Sequence, residues 1–153
     1  MHMFAVIRIK GTIGVRKEIE RTLRLLRLNA PNNCVVLPET ESYKGMLEKV
    51  KDFTTYGKLS FDTFVAMLKK RGRLLGNRRL DEKSVRELGY KSVEELAKAV
   101  FDGKVRLKDV EKLRPVFKLT PPSKGFKSTK HHWPKGDLGD RGEDINELIK
   151  RMI

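Results

Sequence analysis

The sequence predicts an α+β fold. Residues 1–60 form a small three-stranded sheet with two helices in the order βαβαβ, and residues 61–153 form a helical and extended C-terminal extension. Three observations predict this. Residues alternate in polarity at Phe4–Lys10, as in a strand. Two later stretches repeat apolar residues at helical spacing. Beyond residue 60 helix signals follow one another, then give way to a stretch rich in proline and glycine.

The first strand, Phe4-Ala5-Val6-Ile7-Arg8-Ile9-Lys10, is broken by Gly11-Thr12-Ile13-Gly14. Arg16 to Leu28 then reads as a helix with Ile19, Leu23 and Leu26 on one face. Asn29–Asn33 is a turn around Pro31. Cys34-Val35-Val36-Leu37 is a short buried strand ended by Pro38. Thr40 is the N-cap of a second helix, where Tyr43, Met46, Leu47, Val50 and Phe53 recur at i, i+3, i+4, i+7 and i+10. Thr54 to Leu59 reads as a third strand, weakened by Gly57.

In the extension, Ser60 caps a helix carrying Phe61, Phe64, Val65 and Leu68 that ends near Gly72. A short helix follows from Asp81 to Leu88. Ser92-Val93-Glu94-Glu95 is a capping box opening a helix stopped by Gly103. Leu107 to Leu113 adds a turn or two. Arg114 to Asp140 carries Pro115, Pro121, Pro122 and Pro134 and reads as extended; within it lies a basic segment, at about 114–140. Ile145, Leu148, Ile149 and Met152 mark a C-terminal helix.

Charge narrows the function. Thirty-four Lys and Arg against twenty Asp and Glu give +14 in 153 residues. Such a surplus repels itself unless a polyanion neutralises it, and nucleic acid is the commonest such partner. An anionic membrane would call for an amphipathic helix with large exposed apolar residues or a lipid anchor, and neither is evident. No apolar run approaches the ~18 residues of a membrane span, and Met1–Lys10 is too short and polar for a secretory signal. The expected location is therefore the cytoplasm. The single cysteine, Cys34, excludes an internal disulfide and reads as a small buried hydrophobe.

The surplus sits in three segments: seven bases against two acids in the first thirty residues, six bases and no acid in Lys69–Arg79, and five lysines, two histidines and no acid in Lys118–Gly136. Residues 80–113 balance eight acids with eight bases. On the first helix Lys17, Arg21 and Arg24 fall within about 40° of one line, opposite the apolar face, and Arg16 opens it. The Lys10–Gly14 turn before it is either a tight connection or a phosphate cradle at a helix N-terminus. Its Gly-x-x-Gly spacing joins a strand to a helix, which excludes a KH-type clamp between two helices. Lys44, Lys49 and Lys51 lie beside the second helix's apolar stripe. There Gly45 costs roughly 1 kcal/mol against alanine, which points to close backbone approach, either by a neighbouring chain segment or by RNA.

In the Lys118–Lys135 segment lysines, aromatics and prolines interleave. Lys118, Lys124, Lys127, Lys130 and Lys135 suit phosphates, and Phe126, His132 and Trp133 offer planes for unpaired bases beside His131. With Arg71, Arg73, Arg78 and Arg79 these are the candidate RNA-binding residues. No residues are assigned to catalysis, metal or cofactor, and no small-molecule substrate is expected. His131-His132 lacks zinc-ligand spacing, and no hydrolase or P-loop motif occurs. A small phosphoester or acyl-phosphate hydrolase built on the Gly11–Gly14 turn would have only Thr12 as a hydroxyl there.

Val6–Gly11, Leu23–Leu28, Asn33–Pro38, Tyr43–Asp52, Val116–Phe126 and Gly136–Leu148 together resemble the universal large-subunit ribosomal protein L-thirty family, called L-seven in eukaryotes, over nearly the whole chain. The resemblance implies a βαβαβ, ferredoxin-like core, binding to large-subunit rRNA beside neighbouring large-subunit proteins, and no catalysis. The long extension resembles the archaeal form. The alternative function is a non-ribosomal, sequence-independent nucleic-acid-binding or RNA-chaperone protein.

Overall fold

The computed structural model describes residues 3–11, 13–110 and 112–153; Met1, His2, Thr12 and Glu111 lie outside the described residues, and with Thr12 the hydroxyl of the hydrolase alternative. The order is β1 (Met3–Arg8), α1 (Lys17–Leu25), β2 (Asn33–Pro38), α2 (Glu41–Val50), β3 (Thr54–Lys58), α3 (Phe61–Arg71), α4 (Glu82–Glu87), α5 (Val93–Phe101), β4 (Val116–Lys118), β5 (Gly139–Asp140) and α6 (Ile145–Met152). Short 3₁₀ turns occupy Leu107–Asp109 and Gly142–Asp144.

The α+β class stands, but the sheet has five strands, in the order β4-β2-β1-β3-β5. β1 lies antiparallel between β2 and β3. The two added strands come from the stretch expected to be merely extended: β4 pairs antiparallel with β2, Cys34 opposite Phe117, and β5 pairs parallel with β3, Thr55 opposite Gly139. The physical reason is that β2 and β3 would otherwise be bare edges with unpaired backbone groups. Strands of three and two residues are too short to announce themselves by periodicity.

Both sheet faces are covered. Met3, Ala5, Ile7, Cys34, Val36 and Phe117 pack with Phe64, Met67, Leu68, Leu96, Val100 and Leu148 from α3, α5 and α6. Phe4, Val6, Val35, Leu37 and Tyr56 pack with Leu23, Leu26, Leu47 and Val50 from α1 and α2. All six β1 residues are therefore buried, so its side chains alternate between two cores rather than between core and water. Each fully buried Leu or Ile contributes roughly 1.5–3 kcal/mol.

Helix ends follow side-chain chemistry. The Thr40, Ser60, Asp81 and Ser92 side chains accept from the backbone N–H three residues on, at 2.8–3.3 Å. The Glu95 carboxylate accepts from the Lys91 N–H at 2.7 Å, one residue before the N-cap that a capping box would use. α1 stops at Leu25, earlier than its apolar spacing suggests. Arg27 there adopts φ 65° and the Leu28 N–H reaches back to the Leu23 carbonyl at 2.9 Å, a Schellman-type ending that folds Leu28 into the core. Gly57 has its explanation in β3. A Cβ there would lie 2.0 Å from the Gly142 carbonyl oxygen, so the glycine admits the turn before α6. Gly45 has no such neighbour: among the described residues outside its own helix backbone nothing lies within 4 Å of its Cβ position, so packing against them does not account for it.

Candidate nucleic-acid interface

α1 is held against the sheet by a buried arginine. Arg8, at the end of β1, is 2% exposed. Its Nε donates to the Lys10 carbonyl at 2.8 Å and its Nη1 to the Leu28 carbonyl at 2.7 Å, which ties the strand end to the turn leaving α1. Its Nη2 finds no acceptor among the described residues. Burial pushes this guanidinium below the ordinary arginine value, with Glu20 acting in the opposite direction. The outward face of α1 is thereby fixed, and Arg16, Lys17, Arg21 and Arg24 are exposed on it.

These cations are not equivalent. Among the described residues Lys17 and Arg21 form no ion pair, whereas Arg24 meets Glu20 at 3.4 Å. The second-helix lysines are all engaged: Lys44 with Glu39 and Glu41 at 3.4 and 3.8 Å, Lys49 with Glu18 at 2.9 Å, and Lys51 with Glu48 at 2.8 Å. The Lys49 ammonium holds the Glu18 carboxyl below its usual value, and Glu48 holds the Lys51 ammonium above its own. Lys10 lies with its ammonium 5.8 Å from the centre of the Phe53 ring. At the tip of the turn before α1, Ile13 is 100% exposed and Gly14 adopts φ 75°.

A second group gathers at the β4 edge. α3 ends in Lys69, Lys70 and Arg71, and a hairpin follows, turned by Gly76 and Asn77 at φ 82° and 61°. Its Arg73 carbonyl accepts from the Arg114 N–H at 2.9 Å, and Leu74 bridges Leu113. The hairpin is thus sewn to the strand that leads into β4. Arg71, Arg73, Asn77, Arg114, Val116 and Lys118 line a cavity of about 170 Å³, and no acid among the described residues lines it. Arg71 is oriented by Thr120 at 3.5 Å and Arg73 by the Gly72 carbonyl at 2.9 Å. Arg78 and Arg79 are exposed on the hairpin's second arm, Arg79 directly opposite Arg73.

Sequence reasoning missed Arg114, which falls between the neutral block and the lysine-rich segment. The available signal was strand parity: Arg114, Val116 and Lys118 share one side of β4 while Phe117 enters the core.

The Lys118–Lys135 segment is not one surface. Lys118 sits at the β4 edge, while His131–Lys135 precedes β5 at the opposite edge, about 19 Å away at four strand spacings. Between them the chain crosses α6: the Thr120 and Ser123 N–H groups bond the Met152 and Arg151 carbonyls, and Phe126 packs on the core. The distal part closes into a loop around Asp137, whose Oδ2 accepts from the Ser128 N–H at 2.9 Å while its own N–H donates to the Ser128 carbonyl. His132 Nε2 lies 2.6 Å from Asp52 Oδ1, and Lys127 donates to the Pro134 carbonyl. Lys124, Lys130, His131 and Lys135 remain exposed. An extended backbone was expected here; a loop folded on the protein itself is found, because Asp137 supplies the carboxylate that satisfies it. Among the described residues no three His, Cys, Asp or Glu side chains gather as metal ligands, and no helix is long and apolar enough to cross a membrane.

Residues 4–53, from β1 to the turn before β3, match the family model described as ribosomal protein L30p/L7e. The chain is 50% identical over 151 residues to the large ribosomal subunit protein uL30 of Archaeoglobus fulgidus, covering 98% of this chain and 99% of that protein. It is 48% identical to the protein of the same name from Methanosphaera stadtmanae, over 99% and 100% of the two chains. The Nanoarchaeum equitans protein of that name is 46% identical, over 100% of both.

Proposed function

The chain belongs to the ribosomal protein L30p/L7e family, and from that premise we propose that it is a structural constituent of the large ribosomal subunit, acting in the cytoplasm, whose basic surfaces hold folded large-subunit rRNA beside neighbouring large-subunit proteins. The observation that carries the RNA reading is the contrast among its cations. Those of α2 are neutralised by carboxylates of the protein, whereas Lys17, Arg21 and the β4-edge cluster are presented without one among the described residues. Cations left without a protein partner beside like charges are stabilised by phosphate. The role is architectural. A core closed on both faces fixes the spacing of the basic groups, and rRNA that folds to match that spacing is held by it.

Two measurements test this. Native lysate is sedimented and the chain located; it is expected with the large subunit, and recovery mostly at the top of the gradient would favour a non-ribosomal nucleic-acid binder. Purified chain is then titrated with large-subunit rRNA. With about 6–10 phosphate contacts, affinity falls by roughly 10³–10⁵ between 50 and 200 mM salt. A flat response overturns the phosphate-dominated reading.

A further inference from the structure

We propose that the cavity between the α3 end, the Arg73–Arg79 hairpin and β4 is a preformed phosphate cradle that takes one backbone phosphate of the bound RNA, held by Arg71, Arg73, Arg114 and Lys118. The proposal rests on the RNA-binding reading and adds a site to it. The four cations come from two stretches some forty positions apart, 71–73 and 114–118, and converge only through the fold. Backbone hydrogen bonds hold the hairpin to the approach to β4. Val116 packs on the α1–α2 core, so Arg114 and Lys118, two positions to either side, flank it on the same face. Arg71 and Arg73 are positioned by hydrogen bonds to Thr120 and to the Gly72 carbonyl. Part of the orientation that a phosphate requires therefore exists before it binds, and arginine's planar fork suits its oxygens.

Three further features favour this ligand. The cavity, at about 170 Å³, is large enough for a phosphate group and lined mainly by donors, with Val116 the sole apolar side chain among the described residues. The carbonyl end of α3 supports the local positive charge of Lys69, Lys70 and Arg71 but cannot cancel four converging cations. The free protein therefore carries a like-charge cost at this place that an anion relieves.

This predicts effects of opposite sign. Arg114→Gln and Lys118→Gln, made in the full chain, each raise the Tm of the free protein at low salt, because one of four repelling charges is gone. Each also reduces the salt slope of rRNA binding by about one. Inorganic phosphate, compared with chloride at equal ionic strength, raises the wild-type Tm by about 3–6 °C once it exceeds its dissociation constant some tenfold; both variants lose that shift. Lys70→Gln, a neighbouring cation outside the cavity, keeps it.

An equal phosphate shift in wild type and variants, or no shift in wild type, overturns the cradle. Loss of the shift with an unchanged rRNA slope overturns RNA as the source of the phosphate. Absence of any salt-dependent rRNA binding by wild type is the separate failure of the functional reading. Should Arg114→Gln fail to fold, Lys118→Gln at an exposed strand position carries the test alone.

Discussion

The guanidinium of Arg141 lies 4.6 Å from the centre of the Trp133 ring, so the tryptophan that the sequence offers to a nucleic-acid base already has a cation of its own protein over it. Arg141 is in turn paired with Asp137 at 2.8 Å, each side chain only 2% exposed, and its Nε donates to Thr55 Oγ1 at 2.9 Å. Trp133, Arg141 and Asp137 thus lock the basic loop to the β3–β5 edge.

Trp133→Ala is expected to lower Tm, at a cost of about 1–2 kcal/mol for the lost cation–π contact, while rRNA affinity stays within about threefold. Base stacking on this ring would instead cost ~1–3 kcal/mol of binding. Thermal melts and filter binding on one preparation separate the two. Asp137→Ala, which strands a buried guanidinium, should be worse, by roughly 3–5 kcal/mol of stability.

The ion-pair pattern ranks the cations. Lys17→Gln and Arg21→Gln should each reduce the salt slope of rRNA binding by about one. Lys49→Gln should change it less, because Glu18 neutralises that ammonium in the free protein. Equal slopes for all three variants would show that the internal pairs yield to RNA.

The two interior glycines make opposite predictions. Gly57→Ala drives a Cβ to 2.0 Å from the Gly142 oxygen and should destabilise the chain by several kcal/mol or prevent folding. Gly45→Ala meets open space and should add roughly 1 kcal/mol of stability. If Gly45→Ala also weakens rRNA binding, RNA approaches the α2 backbone; unchanged affinity removes that idea.

Cys34 reports on global opening. Burial pushes its thiol up to about 12, so at neutral pH it is protonated as well as enclosed. A thiol reagent should label native protein only at the rate of unfolding and label denatured protein at once. Fast native labelling at pH 7 would contradict the packing of β2.

A chain cut after residue 60 tests whether the expected core stands alone. It keeps α1 and α2 but loses α3, α5 and α6 from the other sheet face, baring Ala5, Ile7, Cys34 and Val36. The expected result is no cooperative thermal transition. A sharp one would show that the core is an independent folding unit.

The sequence alone determined the fold class and most of the elements, and its charge surplus pointed to a polyanionic partner. Charge counts and 3.6-residue spacing are local properties, and α1, α2, α3, α5 and α6 each carry an apolar stripe that a window of ten residues contains. The short β1, β2 and β3 were legible for the same reason. Only the tertiary structure decided what depends on distant partners. Cys34 opposite Phe117 and Thr55 opposite Gly139 make five strands of three. Asp137 turns an apparently extended segment into a loop. Arg114 joins Arg71 and Arg73 across some forty positions because a hairpin is bonded to the approach to β4. Which lysines keep their charge available is likewise a long-range matter, since Lys49 is answered by Glu18 from another helix. Periodicity reports which face of a segment avoids water; it carries no information about which remote backbone or carboxylate completes it.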